Sequence, residues 1–66
     1  MKVIPRHALE PAKGITYSDA HLRRLEIAGK FPKPIRLGKN KIAYPEDEID
    51  AWLEEKRRER DSEHTA

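Results

Sequence analysis

The sequence predicts a small α+β protein of the winged helix-turn-helix class, with three short helices and a two-stranded β-hairpin wing. Three observations predict it. A serine-capped, arginine-bearing stretch from Ser18 to Ala28 runs at helical spacing and stops at Gly29. Residues Ile35 to Tyr44 alternate apolar and polar side chains around Gly38-Lys39-Asn40-Lys41. An Ile49, Trp52, Leu53, Lys56 stripe then repeats at i, i+3, i+4, i+7, the signature of an amphipathic helix.

Each element has a local cause. Met1 to Ile4, ahead of Pro5, reads as an extended lead-in. Leu9 to Lys13 is a short helical candidate, since Pro11 fits only in a first turn. Gly14 stops it and Ile15 anchors the turn. The Ser18 hydroxyl can accept from an unpaired backbone N–H of the second helix, and Asp19 then sits at its positive end. Leu22, Leu25 and Ala28 face inward; Asp19, Ala20, Arg23, Arg24 and Ile27 face the other way. Gly29 suits a left-handed C′ position, and Pro32 and Pro34 forbid the helix from resuming.

In the strands, Ile35 and Leu37 point one way and Arg36 the other, and Ile42 and Tyr44 repeat the pattern. Gly38 and Asn40 tolerate positive φ, which makes the intervening segment a hairpin turn. The last helix begins near Pro45 or Glu46. Its early acids (Glu46, Asp47, Glu48, Asp50) and late bases (Lys56, Arg57, Arg58, Arg60) both complement the helix dipole. The expected core is Leu9, Ile15, Tyr17, Leu22, Leu25, Phe31, Ile35, Leu37, Ile42, Tyr44, Ile49, Trp52 and Leu53.

At 66 residues the chain makes one domain, expected over residues 1–60 with a frayed tail at 61–66. A domain this small buries about 60% of its unfolded surface and is marginally stable. It contains no cysteine, which excludes a disulfide or a cysteine-based zinc site and suits a reducing cytoplasm. No apolar run approaches the roughly 20 residues of a membrane span, and the N-terminus lacks the apolar stretch of a secretory signal. A cytoplasmic protein is expected, with no membrane partner.

Charge is distributed unevenly. The formal net charge is +2. Residues 21–41 carry Arg23, Arg24, Lys30, Lys33, Arg36, Lys39 and Lys41 against Glu26 alone, whereas residues 42–66 carry nine acids against four bases. The basic block coincides with the second helix and the hairpin, as a phosphate footprint would.

These residues form a candidate DNA-binding set. The first turns of a recognition helix meet base edges in the major groove. Arg23 can pair bidentately with guanine, and Asp19 can accept from the cytosine amino group. Ser18, His21 and Arg24 are candidates for phosphate. Arg36, Lys39, Asn40 and Lys41 would lie along the backbone or in the minor groove, with Lys33 adding a phosphate contact beside the loop. Lysines also keep a hairpin edge from pairing with other chains, an effect that can operate at the same time. His7, His21 and His64 lack metal-site spacing. No phosphate loop and no nucleophile–base pair is present. Neither enzymatic activity, a cofactor nor a small-molecule substrate is expected.

Tyr17-Ser18, His21-Leu22, Arg24-Leu25, Ala28-Gly29-Lys30-Phe31-Pro32, Arg36-Leu37-Gly38 and Glu48-Ile49-Asp50-Ala51-Trp52-Leu53 together carry a family likeness. The chain resembles the AlpA-type prophage regulators over about residues 8 to 58. These are similar to phage excisionases and to the DNA-binding part of the MerR group. The resemblance implies a MerR-like winged helix-turn-helix acting at the bacterial nucleoid on double-stranded DNA. It implies the Ser18–Ala28 helix in the major groove and the Arg36–Lys41 hairpin as wing. The implied role is phage or mobile-element regulation, as transcriptional regulator, as excisionase (a recombination directionality factor), or as both. Further copies on adjacent sites, or an integrase or recombinase, are the partners to expect. The alternatives are a protein–protein adaptor using the acidic last helix and Ile27, and a DNA-packaging module resembling a terminase small subunit.

Overall fold

The central strand of the protein is the second strand of the hairpin, and both the first residues of the chain and the hairpin's own first strand pair with it. The structure, a computed structural model, describes residues 1–64. Strand β1 (Val3–Pro5) leads into a single 3₁₀ turn (Arg6–Ala8) and helix α1 (Leu9–Lys13). Helix α2 (Asp19–Ile27), strands β2 (Ile35–Gly38) and β3 (Lys41–Pro45) and helix α3 (Glu46–His64) follow. The sheet is antiparallel with order β1-β3-β2. It has three strands where the sequence predicts two, because the lead-in pairs as a strand, with Ile4 opposite Tyr44. The Glu46 N–H carries that pairing into α3 by donating to the Lys2 carbonyl at 2.8 Å.

The two early helices begin and end where their capping residues dictate. Gly14 closes α1 in the left-handed region at φ 73°. Ser18 caps α2, its hydroxyl oxygen accepting from the His21 N–H at 3.2 Å. At the other end, Lys30 N–H donates to Leu25 O and Gly29 N–H to Glu26 O, the paired bonds of a Schellman motif, with Gly29 at φ 73°. Helix α3 includes residues 61–64, which the sequence assigns to a frayed tail. Residues 65 and 66 of that tail lie outside the described residues.

Ile4, Leu9, Ile15, Leu22, Phe31, Tyr44 and Ile49 form the core, with Leu25, Trp52 and Leu53 packed against its edge. Fully burying one such side chain contributes about 1.5–3 kcal/mol. Three expected core residues are exposed, and a fourth, Ile42, is only half-buried and outside the core. Leu37 is 57% and Ile35 36% exposed, because β2 is an edge strand and its alternation is broken. Arg36 pairs with Ile42 but Gly38 with Lys41, so Leu37 is the extra residue of a bulge. Tyr17 is 44% exposed and packs edge-on beside His21 and Trp52 rather than beneath them. The hairpin turns at Lys39-Asn40. Among the described residues only Gly14 and Gly29 take positive φ. Gly38 and Asn40 therefore turn the chain without the left-handed backbone that the sequence invokes for them.

Candidate nucleic-acid interface

Helix α2 separates its two faces cleanly. Leu22 is buried, Leu25 half-buried, and Glu26 turns inward beside them. Asp19, Ala20, Arg23, Arg24 and Ile27 are exposed, Ile27 at 80%. Ser18 is exposed too, and although its oxygen accepts from the backbone, its hydroxyl hydrogen is still available to a phosphate. His21 is half-buried, its ring edge-on to Tyr17 with centroids 4.6 Å apart. In the loop and hairpin, Lys33, Arg36, Lys39, Asn40 and Lys41 are all exposed.

The ion pairs sort the basic residues into two groups. Lys13 reaches Asp50 at 2.8 Å and Glu46 at 3.6 Å, joining α1 to α3. Along α3, Lys56 pairs with Glu59, Arg57 with Glu54 and Arg60 with Asp61. Among the described residues, none of Arg23, Arg24, Lys30, Lys33, Arg36, Lys39 and Lys41 pairs with a carboxylate. The basic charge of α2 and the hairpin is thus unneutralised within the protein, whereas that of α3 is largely neutralised.

Glu26, the single acid of residues 21–41, is 9% exposed and does not dilute that surface. Its carboxylate accepts from Arg6 Nη2 at 3.0 Å and from the Tyr44 hydroxyl. Arg6 also donates to the Tyr44 oxygen, from Nε at 3.1 Å and Nη2 at 2.9 Å. Tyr44 is fully buried. Burial, and next the bond it donates to Glu26, push its hydroxyl up to about 12, with Arg6 pulling the other way. The sequence carried one signal of this cluster. Glu26 lies one helical turn after Leu22, on the inward face, and a carboxylate there needs a cation.

Among the described residues no helix is long and apolar enough to cross a membrane. Nor could any group of three or more His, Cys, Asp or Glu side chains there hold a metal ion.

A helix–turn–helix (α1 and α2), a hairpin with a cationic tip and a tryptophan-bearing last helix define a small module of the winged helix-turn-helix class. Residues 12–57 match the family described as the prophage CP4-57 regulatory protein (AlpA). The match covers more than half of the chain and takes in α2, the hairpin and the packed part of α3. The chain belongs to this family of prophage regulatory proteins. No curated protein and no solved structure matches it.

Proposed function

We propose that this protein binds duplex DNA sequence-specifically and regulates a phage or mobile element, through transcription, through excision as a recombination directionality factor, or through both. One observation carries the reading: among the described residues, seven basic side chains of α2, the loop and the hairpin are without carboxylate partners, while the segment's one acid is buried against Arg6. Exposed cations that the protein's own acids leave unpaired are what a phosphate backbone neutralises.

In this reading α2 enters the major groove. Arg23 forks onto guanine and Asp19 accepts from cytosine. Arg24, with Ser18 and His21 at the helix start, contacts phosphate. The hairpin lays Arg36, Lys39, Asn40 and Lys41 along the backbone or minor groove, and Lys33 adds a contact beside them. A module of this size has the contact area of about one zinc finger or homeodomain. Copies on adjacent sites, or a recombinase partner, would supply the remaining specificity. Such a protein works in the cytoplasm, on the nucleoid.

The test is the salt dependence of binding to duplex DNA. About five phosphate contacts give a slope near −4.5 for log affinity against log salt. A footprint on the DNA upstream of the protein's own coding region would then locate the site. Absence of binding at low salt removes this reading in favour of a protein-binding adaptor, for which Ile27, 80% exposed, is the available contact.

A further inference from the structure

We propose that Arg6, Glu26 and Tyr44 form a positioning device that fixes the rotation of α2 about its own axis against the strand bearing the hairpin, so that sequence discrimination depends on it more than folding does. The proposal rests on the DNA-binding reading above.

The three residues come from three different elements: the 3₁₀ turn after β1, the inward face of α2, and β3. Each touches the other two. Arg6 donates to both partners, and the Tyr44 hydroxyl donates to Glu26. Among the described residues no buried side-chain nitrogen or oxygen lacks a hydrogen-bond partner, so the cluster is closed.

Its chemistry differs from the rest of the contact between α2 and the core. Leu22 and Leu25 bury apolar surface, which is non-directional and tolerates a small rotation of the helix. Hydrogen bonds weaken steeply when bent or stretched. Glu26 is therefore the contact of α2 that resists turning. Rotation matters because the exposed side chains lie about 5–6 Å from the helix axis, so a 20° turn moves them by about 2 Å. That is enough to take Arg23 out of hydrogen-bond reach of a base edge.

The cluster also refers α2 to the wing. Glu26 sits three residues after Arg23, and Tyr44 three residues after Lys41 at the hairpin tip. Along the chain those separations are about 4.5 Å and about 10 Å. A buried ion pair is weak evidence of stabilisation, since well-packed apolar residues often replace one without loss. Fixing geometry is what remains for it to do.

The experiment compares wild type with Arg6→Met/Glu26→Leu/Tyr44→Phe, and with Tyr44→Phe alone should the triple variant fail to fold. Wild-type protein first selects a preferred duplex from a random pool. The variant is expected to melt cooperatively and to bind random-sequence duplex at low salt within about twofold of wild type. Its preference for the selected duplex over random duplex is expected to fall about tenfold, the effect of one misread base pair. An unchanged preference ratio, or equal losses on both duplexes, overturns the proposal. Residual dipolar couplings of the free proteins give a second readout, in which α2 should reorient relative to the sheet in the variant. If wild type selects no duplex, the DNA-binding reading fails. The couplings then decide the positioning alone: a reoriented α2 supports it and an unmoved α2 overturns it.

Discussion

The indole of Trp52 donates from Nε1 to the carbonyl oxygen of Lys30 at 2.7 Å. This bond ties α3 to the loop between α2 and the hairpin. The Phe31 ring continues the tie inward, edge-on to Trp52 at 4.8 Å and to Tyr44 at 5.4 Å. Trp52 is only half-buried, yet it holds the segment that sets the helix and hairpin apart. Trp52→Ala should destabilise the protein by about 3 kcal/mol. Trp52→Phe keeps an aromatic ring and loses the donor, for a cost of about 1 kcal/mol. Urea unfolding followed by circular dichroism measures both. Equal costs for the two variants would show that the ring contributes nothing beyond its hydrogen bond.

The three glycines should respond differently to alanine. Gly14 and Gly29 hold φ of 73°, and an added Cβ would meet nothing within 4 Å at either. The penalty there is purely one of backbone conformation, about 1–2 kcal/mol for each. Gly38 is not at positive φ, and its Cβ would meet Lys41 Cβ at 3.9 Å, an ordinary contact. Gly38→Ala is expected within about 0.5 kcal/mol of wild type. Thermal melts of the three variants check the order. A Gly38→Ala loss as large as that of Gly29→Ala would mean that the turn uses a left-handed residue after all.

How far the fold was legible follows from where its determinants lie. Ser18, Gly14 and Gly29 act on backbone groups a few residues away, so their roles can be read from sequence alone, as can the Ile49-Trp52-Leu53 stripe. The pairing of Val3–Pro5 with β3 joins residues some forty positions apart. Two residues and a proline give no periodic signal of that pairing. The Leu37 bulge was hidden for a related reason: alternation sets the register of a strand only while no residue is extra. In the candidate interface, the basic block of residues 23–41 stands out in the sequence, and the structure adds that these side chains are exposed and, among the described residues, without carboxylate partners. Arg6 belongs to the opposite case. Nothing near it in the chain distinguishes it from a solvated arginine until Glu26 and Tyr44 are brought beside it.

Arg23 and Lys39 are exposed on different elements, one on the helix and one at the hairpin tip. If α2 reads bases and the hairpin grips phosphate, their alanine variants separate by kind of defect. Arg23→Ala should cost about 1–3 kcal/mol on the preferred duplex and relax specificity at one position, while Lys39→Ala should weaken all duplexes alike and reduce the salt slope by about 1. Titrations of both variants on preferred and random duplexes, across several salt concentrations, distinguish these. Identical profiles would dissolve the division of labour between helix and wing.

The buried Tyr44 hydroxyl ties stability to alkaline pH. In the unfolded chain it ionises near the ordinary 10, and in the folded protein near 12. Below pH 10 the hydroxyl is protonated in both states and its contribution is fully present. Between pH 10 and 12 the unfolded chain loses this proton while the folded one keeps it, so stability falls as pH rises and the loss is complete above the folded value. From pH 9 to pH 11.5 the shift corresponds to about 2 kcal/mol. Tyr44→Phe has no such proton to lose, and every other side chain is common to the two proteins. The wild-type urea midpoint should therefore fall further over this interval than that of Tyr44→Phe. Parallel declines would exclude the Tyr44 hydroxyl as the cause.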